Sequence, residues 1–278
     1  MLASSLASPF FVTPQQLWHA IGTPNAPVIL DVRRREVYDG SDAIIPTARW
    51  CAFDRVASWS EELDPSTPIV IACKAGHELS QSTAAHLRAA GFRAGVLHDG
   101  YAGWVGAGLP TIAKAPLDRL APQRPSLWVT RRRPKIDRIA CPWLIRRFLD
   151  REARVLFVDP PEVAATARET GATPFDIEGV ELSHDGERCS FDTMLRLFGL
   201  ESDLSLTRLA LIVRGADTAR PDIAPEAAGL HAVSLGLSAL AGDDDHGLLR
   251  NGFLVYDGLF AWLRHAAAER HNWPAKAA

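Results

Sequence analysis

Pro68-Ile69-Val70-Ile71-Ala72-Cys73-Lys74-Ala75-Gly76-His77-Glu78-Leu79 is a short apolar run that ends in a cysteine and a polar loop, and residues 80–90 follow it with helical spacing. Consecutive apolar residues, rich in β-branching and bounded by proline on one side and the loop on the other, read as a strand buried on both faces. Ser80 offers a cap, the alanines and Leu87 a buried face, and Gly91 a stop, so the loop leads from a strand directly into a helix. A cysteine at that junction is well placed to ionise, because loop N–H groups and the positive end of a helix both favour an anion. Taken alone, such a cysteine is more often a small buried hydrophobe. The surrounding sequence reverses that reading, and Cys73 is expected to be a thiolate at neutral pH.

Working outward, Pro27-Val28-Ile29-Leu30-Asp31-Val32 and Ala94-Gly95-Val96-Leu97 are runs of the same kind, separated by helical patterns. Short buried strands alternating with helices predict an α/β layer structure. At 278 residues the chain exceeds the usual single-domain size of about 100–200 residues. Residues 113–125 are rich in proline and charge and poor in bulky apolar side chains, which sets a first domain at 1–113, a linker at 114–125 and a second domain at 126–278. In the second domain Leu127-Trp128-Val129-Thr130 and Arg154-Val155-Leu156-Phe157-Val158 read as strands, while residues 139–149 and most of the chain from 190 onward have helical periodicity. That domain is expected to be mixed α/β and mainly helical.

A net charge of −3, with 47% hydrophobic and 23% charged residues, excludes a disordered tail and a dedicated nucleic-acid binder. No run approaches the roughly 18–20 apolar residues that cross a bilayer, and Met1-Leu2-Ala3-Ser4-Ser5-Leu6 lacks the positive start of a secretory signal. A cytoplasmic protein with no membrane partner is expected. Cys51, Cys73, Cys141 and Cys189 are too scattered for a disulfide framework and should be thiols in a reducing compartment.

The N-terminal domain resembles the rhodanese family through most of residues 11–112. Leu30-Asp31-Val32-Arg33 looks like the family's strand-and-arginine motif, and Ile45-Pro46-Thr47-Ala48 like its His-Ile-Pro-Gly-Ala turn. Asp99-Gly100-Tyr101-Ala102-Gly103-Trp104 with Ala107-Gly108-Leu109-Pro110 looks like its closing signature. The resemblance implies a central parallel sheet and a sulfurtransferase in which Cys73 takes sulfane sulfur, holds it as a persulfide in the loop Lys74, Ala75, Gly76, His77, Glu78 and Leu79, and passes it on. It implies structural support from Asp31 and Arg33, a small-molecule sulfur donor and acceptor, and no cofactor for the transfer. Two positions depart from the family pattern: Glu78 stands where a cation is usual, and one extra residue separates Cys73 from Ala84-Ala85. Glu78 would repel an anionic donor unless it faced away or paired with a base such as Arg33, so a thiol persulfide competes with thiosulfate as donor. The longer loop is also similar to that of rhodanese-fold phosphatases and arsenate reductases, but their loop arginine is missing. Cys51 could resolve an oxidised Cys73, although its bulky neighbours favour a packed core thiol.

In the second domain, Arg131, Arg132, Lys135 and Arg138 cluster just before a helix start and could bind an oxyanion. The competing reading is a solvated face, or pairing with the domain's own acids. His184, Asp217 and Glu226 offer ligands for a divalent metal, while Ser190 and Asp192 could simply cap a helix and Glu226 start the next one. Residues 127–265 resemble the C-terminal domain of the chromate-resistance protein B (ChrB) family, through Lys135-Ile136-Asp137-Arg138-Ile139-Ala140-Cys141-Pro142-Trp143-Leu144, residues 184–192, and Val213-Arg214-Gly215-Ala216-Asp217. The resemblance implies a link to chromate resistance, with chromate as the oxyanion partner. No helix-turn-helix or basic domain supports nucleic-acid binding. The reading that results is a persulfide-forming sulfurtransferase linked to oxyanion stress; the alternative is a chromate- or metal-responsive sensor without turnover.

Overall fold

The computed structural model describes residues 10–269, so the Met1-Leu6 stretch read for a leader lies outside the described residues. The N-terminal half runs β1 (Phe11–Val12), α1 (Pro14–Ala20), β2 (Val28–Asp31), α2 (Arg35–Asp39), β3 (Ala43–Ile44), β4 (Arg49–Trp50), α3 (Val56–Ser60), β5 (Ile69–Ala72), α4 (Glu78–Ala89), β6 (Ala94–Leu97), α5 (Gly100–Gly106), β7 (Ile112–Ala113) and α6 (Lys114–Leu120). Five of these strands form a parallel sheet in the order β1-β6-β5-β2-β4, and β3 pairs with β7 antiparallel beside it. The central strand β5 is the apolar run of the sequence, and all four of its residues are buried. Its register against β2, Leu30 to Ile71 and Asp31 to Ala72, sets Asp31 one position from Cys73 on the neighbouring strand. Cys73 thus stands at the C-terminal edge of a parallel sheet, where α/β folds place ligands.

The C-terminal half runs β8 (Leu127–Arg131), α7 (Asp137–Leu144), β9 (Arg154–Val158), α8 (Val163–Thr170), β10 (Thr173–Pro174), α9 (Ser190–Phe198), α10 (Leu204–Asp217), α11 (Ala227–Ala241) and α12 (Asp245–Ala261). Its sheet is small and parallel, in the order β10-β8-β9. α7 continues as a π-helical stretch, Ile145–Leu149, so the expected helix over 139–149 is one segment that starts two residues earlier and loosens at its end. Trp143 anchors the helical core, with Phe260 at 5.3 Å and Phe148 at 5.6 Å between ring centres, both edge-on.

The two halves share one apolar cluster that joins Leu17, Trp18 and Ile21 of the first to Trp143, Phe148 and Phe260 of the second. Arg264 closes this seam by donating from Nη1 to the carbonyls of Trp18 at 3.1 Å and Ile21 at 2.8 Å. The first part of the linker expected at 114–125 is α6. Pro116 falls in the first turn, where proline is tolerated, and Leu117 is buried. The Lys114 ammonium sits 4.4 Å from the Tyr38 ring centre and donates to the Tyr38 carbonyl at 2.8 Å. Seven residues are too few to display a helical period, so the segment carries no periodicity in the sequence. Among the described residues no helix is long and apolar enough to cross a membrane.

Candidate active site

Cys73 is 5% exposed and its Sγ lies 3.1 Å from the hydroxyl of Ser80. That hydroxyl also lies 3.0 Å from the His77 carbonyl. It carries one proton for two acceptors, so it can bond His77 while Cys73 is a thiol and must turn to sulfur when Cys73 is a thiolate. Burial by itself pushes the Cys73 thiol up. The Ser80 hydroxyl and the backbone N–H groups of Ala75, Ser80 and His77 outweigh that, and the thiol ends below its ordinary range. Of the loop residues, Gly76 is buried, Ala75 and Leu79 are half-buried, and Lys74, His77 and Glu78 are exposed.

Ser80 is therefore not the cap that its position suggested. α4 starts at Glu78 with His77 as its N-cap residue, and Ser80 lies in the first turn with its side chain on the sulfur. Glu78 opens the helix at an exposed position, where its charge complements the dipole. The suggested partner Arg33 is committed elsewhere. Its Nε is 3.0 Å and 2.8 Å from the two Asp31 oxygens and its Nη2 is 2.7 Å from Oδ2, with both side chains buried. The guanidinium also lies 3.9 Å from the Tyr101 ring centre, which ties the β2 end to α5. Cys51 sits in the same apolar cluster as Cys73, and burial raises its thiol.

The far wall of the loop is α5. Tyr101 N donates to the Cys73 carbonyl at 2.8 Å and Ala102 N to the Lys74 carbonyl at 2.9 Å. Gly100 makes this approach possible: its φ is +56°, and a Cβ there would overlap the Cys73 carbonyl oxygen and come within 2.6 Å of the Gly76 nitrogen and 2.9 Å of the Ala75 nitrogen. All three of these are backbone atoms that cannot yield cheaply. Gly100→Ala is expected to displace the cysteine loop, cutting reactivity of Cys73 toward a thiol-selective alkylating agent by about tenfold or more and destabilising the fold by about 2–3 kcal/mol. Alkylation rate and urea melts read the two effects; a variant matching the parent in both would mean that the loop accepts the side chain.

The basic run of the second half is taken up by the domain's own acids. Arg131 Nη2 is 3.0 Å and Arg138 Nε 3.4 Å from Asp176 Oδ2, and Arg132 bridges Asp159 and Asp243 at 3.3 Å each. Lys135 is exposed. The expectation of an open oxyanion cradle at these four residues is revised accordingly, because carboxylates distant in sequence already face three of them.

Of the three metal-ligand candidates, His184 and Asp217 come together and Glu226 does not. Glu226 precedes α11 and lies 3.6 Å from Arg208, whereas Asp137 and Asp176 join the pair. Hydrogen bonds to Asp137 and Asp176 push His184 up to about 10. Burial, together with the charges of Asp137 and Asp176, pushes Asp217 up to about 7. Neither Asp137 nor Asp176 was singled out from sequence: Asp137 lies inside a basic run and Asp176 carries no motif, so only the fold brings them to His184. Asp192 does cap α9, by accepting from the Cys189 nitrogen at 3.0 Å, and it also holds Arg214 with both oxygens. Burial leaves the thiols of Cys141 and Cys189 well above the ordinary range.

Residues 128–263 match the family model described as ChrB, C-terminal domain, and residues 13–107 the one described as Rhodanese-like domain. A curated protein, Protein ChrB of Cupriavidus metallidurans, is 36% identical over 133 residues, covering 48% of this chain and 39% of that protein. The match therefore spans about two fifths of that relative's length. A rhodanese-related protein from Thermoplasma volcanium is 17% identical over 36% of this chain and 95% of its own, with a TM-score of 0.33. A thiosulfate sulfurtransferase from Pseudomonas aeruginosa is 27% identical over 36% of this chain and 19% of its own, also with a TM-score of 0.33.

Proposed function

We propose that this chain, in which a rhodanese-like domain (13–107) is joined to a ChrB C-terminal domain (128–263), is a sulfurtransferase that carries sulfane sulfur on Cys73 and serves resistance to chromate or a related oxyanion. The observation that carries this reading is the Cys73 thiol at the end of β5, lowered in pKa by the Ser80 hydroxyl and three loop N–H groups. The Cys73 thiolate attacks the outer sulfur of the donor. A sulfur–sulfur bond forms to Cys73 as the donor's own breaks, and the leaving group departs with the electron pair, as sulfite from thiosulfate or as a thiolate from a thiol persulfide. The loop donors then face the terminal persulfide anion. An acceptor such as cyanide or a thiolate attacks that terminal sulfur and returns Cys73 to its thiolate. The chemistry needs a small-molecule donor and acceptor and no cofactor, and it suits a reducing cytoplasm in which the four cysteines stay thiols.

The link to chromate rests on the ChrB C-terminal domain. Glu78, exposed at the start of α4 five residues after Cys73, disfavours a dianionic donor. The proposed order of preference is therefore a thiol persulfide first and thiosulfate second. The test is sulfur transfer to cyanide by the intact protein with each donor in turn, with the mass of the protein read for one added sulfur. Thiocyanate from either donor supports the proposal, and its ratio fixes the preference. No thiocyanate and no mass gain with both donors would overturn it and put a chromate- or metal-responsive sensor in its place.

The Ser80 contact gives a pH prediction. Only the thiolate reacts, so the rate climbs as pH rises through the Cys73 pKa, and a lowered pKa places that climb at lower pH. Ser80→Ala removes a donor that favours the thiolate, so the acid limb of the rate profile is expected to move to higher pH. An unmoved limb would show that the loop amides alone set the ionisation.

A further inference from the structure

We propose that the ChrB-type domain holds one divalent transition-metal ion on Asp137, His184 and Asp217, with Asp176 beside them. The four residues come from separate places in the chain. Asp137 is the first residue of α7, Asp217 the last of α10, Asp176 lies in the loop after β10, and His184 in the loop before α9. One atom collects them. His184 Nε2 is 3.2 Å from Asp217 Oδ2, 3.5 Å from Asp137 Oδ2 and 3.6 Å from Asp176 Oδ1.

A protonated ring nitrogen has one hydrogen to give, and three carboxylate oxygens converge on it. Hydrogen bonding therefore accounts for one of the three approaches. A cation held by His184, Asp137 and Asp217 accounts for the approaches at 3.2 Å and 3.5 Å together, since ligand atoms about 2.1 Å from a common metal lie about 3.0–3.4 Å from one another along the edges of an octahedron or tetrahedron, while Asp176 Oδ1 accepts from the Ser190 hydroxyl. Asp137, His184 and Asp217 each offer a ligand atom within 4.8 Å of the others. A second, independent observation comes from Asp137. It is 1% exposed, and its Oδ1 is buried with no hydrogen-bond partner among the described residues. A buried carboxylate oxygen without a donor needs an explanation, and a metal ion supplies one.

The surroundings hold the carboxylates in place as a ligand shell requires. Ser190 donates its backbone N–H to Asp137 Oδ2 at 2.6 Å and its hydroxyl to Asp176 Oδ1 at 2.8 Å. Asp137 N lies 3.5 Å from Asp217 Oδ1, and Arg131 donates to Asp176 Oδ2 at 3.0 Å. Arg131 and Arg138 offset much of the Asp176 charge, so the site's excess charge falls on Asp137 and Asp217. The cluster opens to solvent through His184, which is 42% exposed, and Asp217, 19% exposed, so an ion has a way in. One imidazole among carboxylates suits manganese(II), iron(II) or zinc(II) better than magnesium or calcium, whose preferred ligands are oxygens alone.

The test is titration of the full chain, stripped with a chelator, with manganese(II) and separately with zinc(II). Calorimetry reads stoichiometry and affinity, and a shift in thermal midpoint reads linkage to folding. One ion per chain is expected, with a metal-dependent rise in midpoint. His184→Ala and Asp217→Asn should each weaken binding by about 100-fold or more, since even outer-shell changes at metal sites cost about 10–100-fold. Both residues are partly exposed, and far-UV circular dichroism is to be run on each variant so that only folded protein is compared. Glu226→Gln, outside the cluster, should bind like the parent. Absence of binding by the intact chain to both ions, or equal binding by the folded variants, overturns the site. The outcome is independent of sulfur transfer at Cys73, so failure of either proposal is distinguishable from failure of the other.

Discussion

Cys73→Ser is expected to abolish sulfur transfer, lowering thiocyanate formation by about 10³-fold or more with either donor. A serine hydroxyl stays protonated at neutral pH and, even when acylated or otherwise modified, cannot carry a sulfane sulfur that a second nucleophile would release. The substitution replaces one atom at a buried position, so the loop, with the Tyr101 and Ala102 amides on the Cys73 and Lys74 carbonyls, should keep its geometry. Nothing else in the loop can take over. Cys51 shares the apolar cluster with Cys73, but burial raises its thiol and leaves it a poor nucleophile. Retention of more than about a tenth of the parent's rate would move the chemistry away from Cys73. The mass of the donor-treated variant is a second check, because it should gain no sulfur. Metal binding at His184 should be unchanged in the same protein.

The strand, loop and helix around Cys73 were legible in the sequence because they are local. A strand, a loop and a helix start occupy one stretch of about a dozen residues, and the strand's burial shows as an unbroken apolar run. What escaped is the use made of individual side chains. Ser80 looked like a cap, yet the helix begins two residues earlier, and the first turn brings its hydroxyl to the sulfur. Arg33, a candidate partner for Glu78 in the sequence, is instead buried against Asp31 at the end of β2.

The second cluster was half legible for the opposite reason. His184 and Asp217 stood out because no local role absorbed them, whereas Asp137 sat inside a basic run that drew attention to its cations. Those cations turn out to face carboxylates. A ligand set drawn from two helix ends and two loops has no spacing signature, because its members meet only through packing of α7, α9 and α10 around the aromatic core.

Asp31→Ala should be the most destabilising single change in the N-terminal half, at about 3–5 kcal/mol, because it leaves a buried guanidinium without its counter-ion. Arg33 is 2% exposed and Asp31 is fully buried, so neither charge can recover its water without local unfolding. The pair is joined by both carboxylate oxygens, and Asp31 Oδ1 also accepts from the Arg33 backbone nitrogen at 3.0 Å, so its loss frees a main-chain donor as well. The Tyr101 ring, 3.9 Å from the guanidinium, offsets a small part of the loss. Urea unfolding of the full chain measures the effect. The diagnostic comparison is Asp31→Leu with Arg33→Met: removing both charges should recover much of the stability, since a buried ion pair is often replaceable by apolar side chains while half of one is not. A loss below about 1 kcal/mol for Asp31→Ala would mean that Arg33 reaches solvent, and the pair would then be a surface contact of the kind that contributes little. A large loss with no recovery in the double variant would instead place the value of the pair in the hydrogen bonds that shape the end of β2, next to the strand that carries Cys73.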